Sequence, residues 1–246
     1  MDMTVNSLSK GTGIHGRNFA FCPTLASYDL DILIVECKGC SRFFAACCVH
    51  KSFGGVLTGR PCKTCHTFQL VFTDGACSNN GHVDAKSGLG FTIGRNEEYK
   101  WSLPVDKVMD GDHPRTSQRA ELLAAIEGLK KLDKRHTDCL DACEANDGYQ
   151  YTNHPDEIPH LIVVTDSEYV TKGMSEWVPE WRAHGWRNKQ GKRPGNVDLF
   201  KKLDRTITNL EHAGIVVGLW HVPRESNRVA DSLAKDAAHG LNAYIE

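Results

Sequence analysis

Four acidic residues stand where a carboxylate could do chemistry: Asp74, Glu121, Asp166 and Asp231. Each also has an ordinary explanation. Asp74 precedes Gly75 in a turn-forming pair, and Asp166 could likewise serve a turn or a cap. Glu121 would suit a helix dipole, and Asp231 an exposed helical charge pair. Their setting distinguishes them. Asp74 and Asp166 end apolar runs of strand character, while Glu121 and Asp231 lie at the start or edge of amphipathic helices that must pack on those strands. All four can therefore converge at one end of a sheet. Two carboxylates about 4 Å apart repel by roughly 4 kcal/mol at an effective dielectric of about 20, so the cluster needs protons or cations. Oxygen-only ligands favour Mg²⁺ or Mn²⁺.

A second set of chemically able residues lies nearer the N-terminus. Cys37-Lys-Gly-Cys40 and Cys62-Lys-Thr-Cys65 are two Cys-x-x-Cys pairs separated by 21 residues, a spacing close to that of a structural Zn²⁺ site with four thiolates. Cys47, Cys48, His50 and His66 compete as ligands, and Phe43-Phe44-Ala45-Ala46 offers the alternative of a small core with reduced cysteines.

The elements that must hold these groups follow from periodicity. Residues 1–20 are polar and Gly-rich, which predicts a loose tail, and residues 21–66 form the Cys-rich segment. From Gln69 the pattern becomes α/β: Gln69-Leu-Val-Phe-Thr-Asp-Gly is a strand closed by a turn signal, followed by strands at Gly88–Gly94 and Glu98–Leu103. Thr116-Ser117 can cap a helix to about Leu132, with Leu122, Ile126 and Leu129 on its apolar face. Residues 136–159 contain Asn-Asp-Gly and two prolines and read as an inserted loop. Leu161-Ile-Val-Val-Thr reads as a strand buried on both faces. Helical segments at Tyr169–Trp181 and Val197–Glu211, a strand at Ile215–His221 and a last helix from Asn227 complete the order.

Phe72-Thr-Asp-Gly-Ala-Cys, Ser117-Gln-Arg-Ala-Glu-Leu, Val164-Thr-Asp-Ser and Asn227-Arg-Val-Ala-Asp-Ser-Leu-Ala, in this order, resemble the type 1 ribonuclease H family. The resemblance spans about residues 68–240 and implies a domain over 67–243, with a five-stranded mixed sheet flanked by helices. It implies an endonuclease for the RNA strand of RNA/DNA hybrids, with Asp74, Glu121, Asp166 and Asp231 holding two metal ions and cleavage leaving 5′-phosphate and 3′-hydroxyl ends. It places Asn80, Ser117 and Gln118 beside the RNA strand, Thr116 and Asn196 in a phosphate pocket, and Tyr169, Trp177 and Trp181 in an aromatic channel for DNA. Ser117 stands where Asn is commoner. The family's mobile His is matched by His221 only when counting back from Asp231 without gaps; aligning His-Val-Pro instead makes His221 a strand residue, and this second alignment is the favoured one.

A net charge of −2 hides a basic segment: Trp181–Arg193 carries Arg182, Arg187, Lys189, Lys192 and Arg193 with no acid, which suits phosphate contacts or a solvated loop. Neither an apolar run of membrane-spanning length nor the apolar core of a secretory signal is present, so the sequence predicts an intracellular protein, nuclear or cytoplasmic with a mitochondrial address left open. The catalytic domain is expected to act as a monomer. The contrasting reading is a noncatalytic RNA/DNA hybrid-binding protein with a zinc-binding appendage.

Overall fold

The computed structural model describes residues 12–47, 65–138 and 159–241. Its centre is β5 (Phe68–Ser78), the longest strand. β5 pairs antiparallel with β6 (Lys86–Thr92), which pairs with β7 (Lys100–Pro104). On its other side β5 runs parallel to β8 (His160–Thr165), and β8 parallel to β9 (Val216–His221). These are the five strands expected from the sequence.

Among the described residues the sheet has nine strands where five were expected, because the N-terminal residues add four, with β6 and β7 branching from β5. β1 (Gly13–His15) and β2 (Asn18–Ala20) form a hairpin whose second strand lies along β9, where the Leu219 N–H donates to the Arg17 carbonyl at 2.7 Å. A short helix α1 (Leu30–Leu33) leads into β3 (Ile34–Glu36) and β4 (Phe43–Ala45), and Phe44 of β4 pairs with Gln69 of β5. The loose tail predicted over 1–20 is therefore a strand pair from Gly13 onward. Pairing with β9 satisfies backbone groups that an exposed edge would leave open.

The two faces of the sheet are covered differently. α2 (Lys107–Asp110) precedes the long α3 (Ser117–Arg135), which packs on one face with α6 (Val197–His212) around Val71, Leu89, Phe91, Ile126 and Phe200. The opposite face takes α7 (Arg228–His239) and the N-terminal segment, with Phe19, Phe68, Phe72 and Trp220 in one apolar cluster. Phe19 stacks edgewise or tilted on Phe21, Phe68 and Trp220 at 5.0–5.5 Å. The Cys-rich residues are thus a cover bonded into the sheet.

α4 (Glu168–Lys172), a π-helical turn at Gly173–Trp177 and α5 (Val178–Ala183) make up the predicted Tyr169–Trp181 helix, which begins one residue earlier and ends two later. The inserted loop expected at 136–159 falls largely outside the described residues. Among the described residues no helix is long and apolar enough to cross a membrane.

Candidate functional site

Two glycines bring the helices onto the strands. Gly75 was expected to end its strand in a turn; β5 instead continues through it to Ser78, with Gly75 opposite Leu89. A Cβ on Gly75 would lie 2.1 Å from the Ala120 carbonyl carbon, so its hydrogen lets the first turn of α3 sit directly on β5. Gly90 does the same for α7, where a Cβ would lie 2.1 Å from the Ala230 carbonyl oxygen. Each glycine seats a helix next to the carboxylate it carries: Ala120 precedes Glu121 and Ala230 precedes Asp231.

Asp74 and Asp166 come together through strand register. Phe72 pairs with Val164 in the parallel β5–β8 ladder, and each acid lies two residues further along the chain, Asp74 within β5 and Asp166 just past the end of β8. Asp74, Glu121, Asp166 and Asp231 line one cavity of about 450 Å³, with Ser117 and Ser167 at its wall. Crowding of these groups bears most on Asp74. Burial, then the charges of Asp166 and Asp231, push the Asp74 carboxyl up to about 7. Burial also raises Glu121, opposed by the Ser167 hydroxyl, whose Oγ donates to Oε2 at 2.6 Å. Burial works to raise Asp231 as well, but hydrogen bonds from Lys235 and Arg224 outweigh it and hold its carboxylate below the usual range.

Asp166 accepts from Asn227 Nδ2 at 2.7 Å, and the same amide reaches the Thr73 carbonyl at 3.0 Å. Asp231 is paired with Arg224 and, across one helical turn, with Lys235 at 2.6 Å. The exposed charge pair considered for Asp231 is therefore real and coexists with its place in the cavity. Ser167, Arg224, Asn227 and Lys235 were not singled out from the sequence. Ser167 and Asn227 sit inside the quoted motifs, and Lys235 follows Asp231 at helical spacing.

Thr116 caps α3 by accepting from the Arg119 N–H at 3.3 Å, and with Asn196 and Arg193 it lines a neighbouring groove of about 380 Å³. Asn196, in the left-handed region at φ 54°, donates to the Tyr169 hydroxyl at 3.1 Å. Arg119, also unforeseen, is buried beneath this groove between Asp110 at 2.5 Å and Asp198 at 2.8 Å. Tyr169, Trp177 and Trp181 converge on Phe200, at ring separations of 5.3, 6.4 and 5.3 Å. Trp181 belongs to the core, whereas Tyr169 and Trp177 remain partly exposed. Gln118 is exposed beside Ser117, and Asn80 is exposed in the β5–β6 turn. His221 is a strand residue opposite Thr165 and is not among the residues lining the carboxylate cavity.

Of the four cysteines expected as one set, Cys37, Cys40 and Cys65 are among the described residues, and the first two group with a histidine. The ligand atoms of Cys37, Cys40 and His66 lie within 4.8 Å of one another, and all three residues are buried. Cys65 lies outside that group: its Sγ donates to Thr67 Oγ1 at 3.2 Å, and a hydrogen bond with Cys47, together with burial, pushes its thiol well above the ordinary pKa. Cys47 and Cys65 belong to the apolar cluster that also holds Ala45, Phe68 and Phe72. Cys62, Cys48 and His50 lie outside the described residues. The Cys37 thiol is lowered from its ordinary value, chiefly by a hydrogen bond from Cys40 and, against burial, by His66.

Comparison with known proteins matches residues 67–239 to the RNase H family model. The chain is 30% identical over 169 residues to ribonuclease H of Jannaschia sp. (strain CCS1), covering 68% of this chain and 88% of that protein. It is 32% identical over 170 residues to ribonuclease H of Cyanothece sp. (strain PCC 7425 / ATCC 29141), covering 69% and 88%. Against ribonuclease H1 of Mus musculus it is 27% identical over 173 residues, covering 69% of this chain and 50% of the mouse protein. The match contains all four carboxylates and both helices that deliver them, and the chain belongs to the ribonuclease H family.

Proposed function

We propose that this protein is an endonuclease that hydrolyses the RNA strand of RNA/DNA hybrids, leaving 5′-phosphate and 3′-hydroxyl ends. The observation that carries the reading is the convergence of Asp74, Glu121, Asp166 and Asp231 in one cavity, with Asp74 raised to about 7 by burial and by its neighbours' charge. A site in which Asp74 and Glu121 are costly to ionise, and whose four carboxylates offer oxygen donors, fits Mg²⁺ or Mn²⁺. Two such ions held by these residues would supply an activated water and a counter-charge for the leaving oxygen.

The remaining work falls to side chains of the chain itself. Ser167 holds the Glu121 carboxylate by its hydroxyl, and Asn227 ties Asp166 to the β5 backbone, so both acids keep fixed orientations. Ser117 at the cavity wall and exposed Asn80 and Gln118 are suited to minor-groove contacts with 2′-hydroxyls. Thr116, Asn196 and Arg193 offer polar and cationic groups for a phosphate of the DNA strand, and Tyr169 and Trp177 an aromatic surface beside it.

A second reading, hybrid binding without cleavage by a protein with a zinc-holding appendage, is favoured by two observations. The compact group of metal-type ligands among the described residues is Cys37, Cys40 and His66, and both oxygens of Asp231 are engaged by cations of the chain. One experiment separates the readings: matched RNA/DNA, RNA/RNA and DNA/DNA duplexes incubated with the protein in Mg²⁺ and in Mn²⁺. Hybrid-only cleavage, lost in Asp74→Asn and Asp166→Asn variants that stay folded, is expected. Tight hybrid binding with no cleavage in either metal establishes the second reading.

A further inference from the structure

Away from the carboxylate cavity, three buried donors meet where the N-terminal segment joins the central strand. We propose that Cys37, Cys40 and His66 bind Zn²⁺, and that this ion staples the β3–β4 hairpin to the start of β5. The inference is independent of whether the protein cleaves hybrids.

The donor chemistry selects the metal. Two thiol sulfurs and an imidazole form a nitrogen–sulfur set that suits Zn²⁺, whereas the carboxylate cavity offers oxygen and suits Mg²⁺ or Mn²⁺. The two sites therefore sort different cations within one chain. At 0%, 4% and 2% exposure, Cys37, Cys40 and His66 are shielded from solvent as a structural site requires.

The backbone is shaped to present them. Cys37 and Cys40 occupy the tip of the β3–β4 hairpin, where the Cys37 N–H donates to the Arg42 carbonyl at 2.9 Å and the Ser41 N–H to the Cys37 carbonyl at 2.7 Å. Ser41 adopts φ 56°, a left-handed turn that reverses the chain directly after Cys40. The third donor comes from a different segment. His66 immediately precedes Thr67 and β5, and its ring stacks on Phe44 at 4.1 Å with planes 14° apart. Phe44 itself pairs with Gln69, so the strand that orients the imidazole also docks the hairpin.

The placement gives the ion a consequence for the fold. Next to the site, buried Arg42 donates to the Arg135 carbonyl at the end of α3 and to Gln69 Oε1 at 3.2 Å, while Gln69 Nε2 donates to the His136 carbonyl at 3.1 Å. A metal joining Cys37 and Cys40 to His66 closes a loop of more than twenty residues and fixes the hairpin against both β5 and the end of α3. Cys47 and Cys65 lie outside this group of three donors, and a tetrahedral ion would take one further ligand.

The test uses the full chain purified without chelator. Elemental analysis should find one zinc per chain in the unaltered protein and in the Cys47→Ser and Cys65→Ser variants, and a loss of at least 80% in Cys37→Ser, Cys40→Ser and His66→Asn. Zinc lost in Cys65→Ser but kept in Cys37→Ser overturns the assignment, as does a metal-free protein carrying a Cys37–Cys40 disulfide. Because the variants could fail to fold, alkylation of the unaltered chain followed by peptide mass analysis supplies a second readout. Cys37 and Cys40 should be protected with zinc and modified at least tenfold faster after chelation, with Cys77 unchanged. Equal rates before and after chelation count against the site.

Discussion

The Ser167 hydroxyl donates to Glu121 Oε2 at 2.6 Å while its Oγ accepts the Val170 N–H at 3.3 Å, so one side chain caps α4 and steadies a carboxylate delivered by α3. Ser167→Ala removes both bonds. Loss of the cap should cost about 1 kcal/mol of stability. Loss of the donor to Glu121 leaves burial less opposed, so its carboxyl holds a proton to higher pH and competes with metal. The Mg²⁺ concentration for half-maximal cleavage should rise severalfold, and rise more at pH 6.5 than at pH 8.5. A Mg²⁺ requirement unchanged at both values would show that the bond matters only to the helix.

Asp74 makes the metal-free fold pH-dependent. Its carboxyl is raised from the ordinary value of 3.8 to about 7, so between those values the folded chain holds a proton that the unfolded chain releases. The stability associated with this group is present below about pH 4 and is lost as pH rises through 7. At about 1.4 kcal/mol per pH unit the loss reaches on the order of 4 kcal/mol as an upper bound. In EDTA, Asp74→Asn should therefore melt higher than the unaltered protein at pH 8, with the difference shrinking toward pH 5. Mg²⁺ should restore stability to the unaltered chain more than to the variant. A melting difference that stays flat from pH 5 to pH 8 would contradict the origin assigned to the shift.

The close approach at Gly75 gives a prediction about packing. A methyl group there meets the backbone of α3 at 2.1 Å, and backbone cannot rotate out of the way. Gly75→Ala should cost at least 1–3 kcal/mol, about the penalty of overpacking a filled core, and should reduce cleavage further by displacing Glu121. Gly13→Ala is the control, since a Cβ there has nothing within 4 Å. Equal denaturation midpoints for the two variants would mean that α3 can lift without cost.

Gly75 also marks how far the sequence could be read. Alternating and continuous apolar runs revealed the five central strands, because burial on one or both faces leaves a direct imprint on residue choice. The four carboxylates were legible because strand ends and helix starts fix their direction. Gly75 itself was misread as a turn: a glycine demanded by a neighbouring helix and one demanded by a turn are the same letter. Strands β1 to β4 were missed for a different reason. Each is three residues long, too short to show a period, and they exist through pairing with distant β9 and β5. Spacing singled out Cys37 and Cys40 and left His66 among several competing ligands, since only the sheet brings His66 to the hairpin.

The basic residues after α5 form a compact loop in which the Asn188 N–H donates to the Lys192 carbonyl at 2.9 Å and Arg187 Nη1 to the Gly191 carbonyl at 2.8 Å. Lys189 lies 3.4 Å from Glu180, whereas Lys192 and Arg193 are exposed and Arg193 lines the groove with Thr116 and Asn196. A loop so fixed holds cations in place and should engage hybrid phosphates as a unit. Each phosphate contact contributes about 0.9 to the slope of log K against log salt on a B-form duplex. Changing Arg187, Lys189, Lys192 and Arg193 together to Ala should weaken hybrid binding in EDTA about tenfold or more at 0.1 M NaCl and reduce the slope by roughly two to four. Melting temperature should change little, because these side chains are exposed and Lys189 makes only a surface ion pair. A slope equal to that of the unaltered protein assigns the loop to solvation alone and leaves hybrid affinity to the groove beside Arg119.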